Sequence, residues 1–362
     1  MDQNILESFG WDSFFEEQAV ENYEVGRILL EHKHIYRIIC NDGEYVAELS
    51  GKFRHEALTK GDYPAVGDWV YIKKIENEKK AIIHRIFPRR SSFSRQEAGN
   101  RTEEQIIATN VDYLFLVNAL NHDFNVRRME RYLLVAYESG AMPVIVLTKS
   151  SLCEDVEQKI AETEAVAIGV PIFVVDSLVY VGIELLQQFV SPGKTIALVG
   201  SSGAGKSTLL NALIGTDVAK TGDIREEDSK GRHTTTHREL FQLPSGGLVI
   251  DTPGMRELQL WEGSTAIQTT FSDIEDLANT CRFRDCKHEG EPGCAVRNAI
   301  DNGTIPVERL LSYKKLQREL AYVMRKQDAI LARAERDKWK KISKQHKKCK
   351  NQKDYSFGFL YL

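Results

Sequence analysis

No stretch of this 362-residue chain approaches the roughly eighteen consecutive apolar residues that a membrane-spanning helix needs. Early Lys and Arg are missing as well: Asp2, Glu7 and Asp12 occupy an N-terminus whose charge is wrong for a secretory signal. Both absences predict a cytoplasmic protein with no membrane partner. Cysteine is scarce. Of six, Cys40, Cys153 and Cys349 are scattered while Cys281, Cys286 and Cys294 cluster, which argues against a disulfide framework and for a metal site in a reducing compartment. Net charge is also small, at −4, yet it is unevenly spread. Residues 301–362 hold sixteen Lys and Arg against seven Asp and Glu, which leaves −13 for the first 300 residues. One end therefore suits a polyanion.

What is present is organised around Gly200-Ser201-Ser202-Gly203-Ala204-Gly205-Lys206-Ser207-Thr208. An apolar run, residues 195–199, precedes it, and Leu209, Leu210, Ala212, Leu213 and Ile214 recur at helical spacing after it. Strand, glycine-rich loop and helix, with GxxxxGK(S/T) complete, is the context of a phosphate-binding loop. The glycines let successive N–H groups face a phosphate, and the new helix adds its positive dipole end. In such a loop Lys206 reaches the β- and γ-phosphates and Ser207 ligates Mg²⁺.

Chain length points to two or three domains. Residues 1–22 form an acidic, aromatic lead-in with no assigned chemistry. Residues 23–88 carry five short β-rich runs (24–30, 34–40, 45–49, 68–75 and 81–86), with Asn41-Asp42-Gly43 as a hairpin turn. Such spacing suits an OB-type barrel, either a structural module or an RNA-binding one. Residues 89–109 are basic, serine-rich and polar, and predict a linker or mobile loop. From 110 to 262 strands at 111–117, 143–147, 171–175 and 195–199 alternate with helical stretches, so an α/β domain with a doubly wound parallel sheet is expected.

Further motifs fall on that sheet. Residues 248–250 form a buried strand that ends in Asp251-Thr252-Pro253-Gly254, 51 residues after Gly200. There Asp251 can hold Mg²⁺ through water and Gly254 can offer its N–H to a γ-phosphate. Between them lies Gly231-Arg232-His233-Thr234-Thr235-Thr236-His237, a candidate first switch in which Thr235, with Thr234 close behind, would complete the Mg²⁺ shell. Thr148-Lys149 ends another buried strand, where a guanine-reading loop (N/T)KxD belongs. An Asp at the fourth position accepts from guanine N1–H and N2–H₂ together; here that position is Ser151, which cannot. Asp176-Ser177 ends the next strand and can supply the last base-contacting loop. Because Thr148 precedes Gly200, the motif order is circularly permuted, and the chain leaves the second switch directly into the C-terminal region, 263–362.

That region carries Cys281-x4-Cys286-x-His288-x5-Cys294, three thiolates and one imidazole, the closed set of a structural zinc site. Beyond Pro306, Leu310, Tyr313, Leu316, Leu320, Val323 and Met324 mark an amphipathic helix. The tail from Lys338 to Lys353 is lysine-dense around Trp339 and is read as an RNA contact.

Together these residues resemble the ribosome small subunit-dependent GTPase A family of circularly permuted bacterial GTPases. The likeness rests on Pro64-Ala65-Val66-Gly67-Asp68-Trp69-Val70, the permuted motif order, Gly231-Arg232-His233-Thr234-Thr235-Thr236 and the Cys₃His spacing, and it covers nearly the whole chain. It implies an OB barrel, a GTPase core, a zinc-containing C-terminal domain and a role in late maturation of the 30S subunit, with 16S rRNA and GTP/GDP as partners and hydrolysis stimulated by the subunit. A monomer is expected. Family members lack the water-orienting glutamine of Ras-like enzymes, and Met255 follows Gly254 here. The resemblance moves that role to a switch-loop histidine, His233, which is open to the alternative of an ordinary loop residue. The departure is Ser151. It keeps two rival readings alive, a nucleotide-promiscuous NTPase and a non-catalytic RNA-binding assembly factor switched by nucleotide.

Overall fold

The computed structural model of the chain describes residues 5–96, 104–215, 238–251 and 264–325. Its first body is a barrel. Strands β1 (Glu24–His32), β2 (Ile35–Cys40), β3 (Gly43–Leu49), β4 (Trp69–Lys74) and β5 (Lys80–Ile86) run in the order β1-β2-β3-β5-β4, and β4 pairs back to β1. The two-residue Asn41-Asp42 turn sets the β2–β3 register, with Cys40 opposite Gly43. Alternation then fixes which side faces in: Tyr45, Ala47 and Leu49 on β3 join Ile28, Ile38, Val70, Ile72 and Ile83 in a closed interior.

The acidic lead-in folds as two short helices, Ile5–Ser8 and Ser13–Glu16, and packs beneath the barrel. Trp11 and Phe15 meet Trp69 at ring-centroid distances of 5.0 and 5.6 Å, with Phe87 completing the cluster. Aromatic residues so close in sequence act here as packing, each buried ring contributing about 1.5–3 kcal/mol.

Residues 89–109, expected as a linker, instead hold an antiparallel pair, β6 (Ser92–Gln96) and β7 (Glu104–Thr109). Phe93, Ile107 and Ala108 are buried in the main core, and a polar sequence becomes a strand because one face is covered. Gly67, in the turn before β4, lies against this segment: with φ at +95° and a would-be Cβ 2.2 Å from the Thr109 carbonyl, no other residue fits.

The second body is the α/β sheet, in the order β10-β9-β8-β11-β13-β12. Strands β8 (Tyr113–Ala119), β9 (Met142–Thr148), β10 (Ile172–Val174), β11 (Thr195–Gly200) and β13 (Leu248–Asp251) are mutually parallel, and β12 (Glu239–Gln242) runs antiparallel to β13. Buried on both faces, the parallel strands are apolar runs. Helix Val126–Ser139 covers one face, started by the Asn125 side chain accepting from Arg128 N at 2.9 Å; helix Lys206–Ile214 covers the other. Barrel and sheet are continuous. β1 slips register between Ile28 and Leu30, and beyond that bulge Leu30 pairs with Glu239 of β12.

A third, helical layer (Ser264–Thr270, Ser272–Ala278, Ala295–Asp301 and 307–325) packs on the helix Val126–Ser139 side. The expected amphipathic helix is present, and Leu310, Tyr313, Leu316 and Leu320 are its buried stripe, while Met324 stays exposed. No helix among the described residues is long and apolar enough to cross a membrane.

Candidate nucleotide site and metal centre

Strand β11 delivers Gly200 to the edge of the sheet, and the next helix starts at Lys206. Gly200 is required by packing, since a Cβ there would sit 2.3 Å from the Val117 carbonyl of β8. The loop between is tied down from both sides. Thr148 Oγ1, at the end of β9, donates to the Ala204 carbonyl at 2.6 Å. Ser201 Oγ donates to Asp123, whose carboxylate also receives Arg128 through two bonds of 2.8 and 2.9 Å. Those donors, Arg128 foremost, hold Asp123 down to about 2, so it remains an anion throughout the neutral range.

Within this frame Ser202, Gly203 and Ser207 are exposed, Gly205 and Thr208 are half-buried and Ala204 is buried. Lys206 Nζ donates to the carbonyls of Gly200 at 2.7 Å and Ser201 at 2.6 Å. Neutral carbonyls are weaker partners for an ammonium than phosphate oxygens, which would compete for it. One residue past Val117, Asn118 is buried with neither amide atom partnered among the described residues. Polar demand beside the loop is unfilled, and no sequence pattern announced it.

The end of the sheet expected to read the base is built from two strand ends. Lys149 takes the left-handed conformation, φ 59°, and turns the chain after β9 into the short 3₁₀ segment Ser150–Leu152. Ser151 there donates its hydroxyl to Asp176, and its N–H reaches the same oxygen at 3.3 Å. Leu178 N donates to the other oxygen of Asp176 at 3.1 Å. These bonds, the Ser151 hydroxyl first, lower the Asp176 pKa below the ordinary carboxylate value. Ser177 Oγ is buried and has no partner among the described residues. Thr148, Lys149, Ser151 and Ser177 thus border one region continuous with the phosphate loop.

On the Mg²⁺ side, the parallel register that sets Ala197 opposite Ile250 brings Asp251, the last residue of β13, alongside the strand feeding the loop. His233, Thr234, Thr235 and Gly254 lie outside the described residues, as does the lysine-rich tail.

The Cys₃His set assembles in the helical layer. The ligand atoms of Cys281, Cys286, His288 and Cys294 all lie within 4.8 Å of one another. Cys281 Sγ is 3.7 Å from His288 Nδ1 and 4.0 Å from Cys294 Sγ, and His288 Nδ1 is 3.4 Å from Cys294 Sγ. A tetrahedron with metal–sulfur and metal–nitrogen bonds of about 2.3 and 2.0 Å has edges of roughly 3.5–3.8 Å, so Cys281, His288 and Cys294 are already near metal-binding separation, with Cys286 close by. Their chemistry fits in part: burial pushes the Cys286 thiol up to about 11, but two of the other donors are poised for a cation. Burial lowers the His288 pKa, leaving a neutral imidazole, and although burial opposes it, hydrogen bonds from the N–H groups of Val296 and Ala295 leave Cys281 below the ordinary thiol value. Cys294 doubles as helix cap, its Sγ accepting from Arg297 N at 3.3 Å.

A phosphate loop fed by β11, with the strand ends of β9 and β10 expected to face the base lying earlier in the chain, defines a circularly permuted P-loop GTPase joined to a barrel and a metal-binding helical layer. The RsgA GTPase family model matches residues 86–261. The small ribosomal subunit biogenesis GTPase RsgA of Opitutus terrae is 48% identical over 351 residues, spanning 93% of this chain and 95% of that protein. Among solved structures, YjeQ from Thermotoga maritima aligns with a TM-score of 0.61 and 26% identity over 82% of this chain and 98% of that one. YloQ, described as a circularly permuted GTPase, aligns with a TM-score of 0.58 and 26% identity over 83% of this chain and 96% of its own. The chain belongs to the RsgA GTPase family, and it is a GTP hydrolase.

Proposed function

We propose that this GTPase works on the small ribosomal subunit in the cytoplasm, binding 16S rRNA through barrel, metal-holding layer and basic tail as a monomer, and leaving when GTP is hydrolysed late in the subunit's maturation. The curated relative from Opitutus terrae is named for small-subunit biogenesis, and it matches this chain almost end to end. The single observation that carries the catalytic reading is the phosphate loop itself, with Lys206 at the helix start and its ammonium on the loop carbonyls.

On this reading the N–H groups of residues 201–208 cradle the phosphates, and Lys206 exchanges its two carbonyls for β- and γ-oxygens. Ser207, Thr235 and Asp251 would hold Mg²⁺, which would supply positive charge to offset that on the phosphate oxygens. Gly254 offers its N–H to the γ-phosphate, and His233 orients the attacking water. Thr148 and Lys149 pack along the base, with the lysine stem on its face. Cys281, Cys286, His288 and Cys294 hold zinc as a closed structural set, with no open position for catalysis. Nucleotide state passes from Asp251 and Gly254 straight into the helical layer, because the permutation makes them neighbours in the chain.

Catalysis here is positioning and electrostatics, so intrinsic turnover is slow and the subunit supplies the stimulation. The test is phosphate release from GTP with and without purified small subunits. Lys206→Ala abolishes release under both conditions; wild-type rates in that variant would refute the site.

A further inference from the structure

We propose that the guanine-reading carboxylate of this GTPase is Asp176, supplied from the end of β10 and steered by Ser151, which stands where the (N/T)KxD pattern has its aspartate. The inference rests on the GTP site described above and assigns its base specificity. The single hydroxyl of Ser151 cannot accept from guanine N1–H and N2–H₂ together as a carboxylate does. The need does not disappear. A GTPase that left both donors unpaired in its pocket would lose much of its discrimination against adenine.

Asp176 meets that need. It is 4% exposed, directly after the strand that pairs with β9, and its carboxylate already touches position 151 through the Ser151 hydroxyl and N–H. Serine and aspartate have in effect traded places across one hydrogen bond, so the carboxylate stays at the same junction while its backbone origin moves to the neighbouring strand end. Its orientation is fixed by Leu178 N on Oδ1 and Ser151 on Oδ2. A carboxylate offers about four lone-pair positions, and the 3.3 Å contact from Ser151 N is weak enough to yield to a purine N–H.

Two neighbours agree. Thr148 links this end to the phosphate loop through its 2.6 Å bond to Ala204, so a nucleotide held by that loop extends over Lys149 toward Ser151 and Asp176. Ser177 Oγ, next in sequence, is buried and unpartnered among the described residues, which marks a polar slot awaiting a polar occupant. Leu152 and Leu178, both well exposed, flank the two residues and give the slot apolar edges for a flat base.

Adenine presents an acceptor at N1 and no amine at C2, so an Asp176 carboxylate repels it. Xanthine has a carbonyl at C2, and asparagine at position 176 would accept from N1–H while donating to that carbonyl. Fluorescence titration of the full chain with methylanthraniloyl-labelled GDP, ADP and XDP, in Mg²⁺ buffer, reads all three. Wild type is expected to prefer GDP over ADP by roughly 100-fold. Asp176→Asn should lose GDP affinity by a similar factor and bind XDP better than GDP, a gain that misfolding cannot produce. Ser151→Ala, which only loosens the carboxylate, should lose about threefold to tenfold in GDP affinity. Wild-type affinities that are equal for GDP and ADP, or an Asp176→Asn protein that keeps its GDP affinity with no gain for XDP, would overturn the proposal. Failure of the phosphate site is separable: it would show as Lys206→Ala retaining wild-type affinity for every labelled nucleotide.

Discussion

Two buried arginines pin the GTPase domain to its neighbours, and they are held in opposite ways. Arg27, at the barrel junction, is surrounded by neutral acceptors from four separate segments: the carbonyls of Phe9, Gly67 and Asn110 and the hydroxyl of Thr195, with the Trp69 ring 5.4 Å away. Burial pushes it down to about 10, still a cation at neutral pH. Arg309, on the C-terminal helix, is buried against carboxylates. It bonds Asp273 at 2.7 and 2.8 Å and Glu130 at 2.8 Å, and Glu130 also takes the Ser312 hydroxyl at 2.6 Å. The barrel side therefore solvates one charge with dipoles, while the helical side matches charge with charge. Removing either arginine leaves different debris, neutral carbonyls in one case and buried anions in the other.

That difference is measurable. Arg309→Met takes one of two arginines from the fully buried Glu130, leaving it Arg127 and the Ser312 hydroxyl, and also unpairs Asp273, so it should lower stability by about 3 kcal/mol in urea denaturation followed by circular dichroism. Pairing it with Glu130→Leu should recover part of the loss, because the buried carboxylate is gone and the charges left behind, Arg127 and Asp273, are partly exposed and can turn to water; no recovery would contradict the charge-matched reading. Arg27→Met leaves three carbonyls and the Thr195 hydroxyl, some within reach of water, and should lose about 2–3 kcal/mol, read best by tryptophan fluorescence because Trp69 lies beside it. A larger loss than at Arg309 would reverse the comparison. The smallest effect belongs to Arg131→Ala. Its pair with Glu319 spans the same helical junction at 2.7 Å but is about one-third exposed on both sides, so a loss of about 0–1 kcal/mol is expected.

Legibility in the sequence followed how local each feature is. The phosphate loop was readable because nine adjacent residues supply both the N–H groups and the helix end that a phosphate needs. The Cys₃His set was readable for the same reason, its donors lying within one short loop. Barrel strands came out within two residues of their observed ends because one face of each is buried and the pleat repeats every second residue. Residues 92–96 and 104–109 did not, since their serines, arginines and glutamates look like a linker until a core covers Phe93 and Ile107.

The contacts that join the three bodies are long-range, and no window of sequence contains them. Arg309 and Glu130 are 179 residues apart, Arg27 and Thr195 are 168 apart, and nothing in the composition of either segment names the other. Ser151 and Asp176 are an intermediate case. Each is legible as a strand end, one lacking a carboxylate and one having it, yet only the parallel pairing of β9 with β10 brings the two side chains to a single hydrogen bond. By itself the sequence determined the chemistry available: phosphate binding, metal binding, a permuted order of motifs. Tertiary structure alone decided which buried charges meet and that Ser151 bonds Asp176, because those depend on strand pairing and packing between segments distant along the chain.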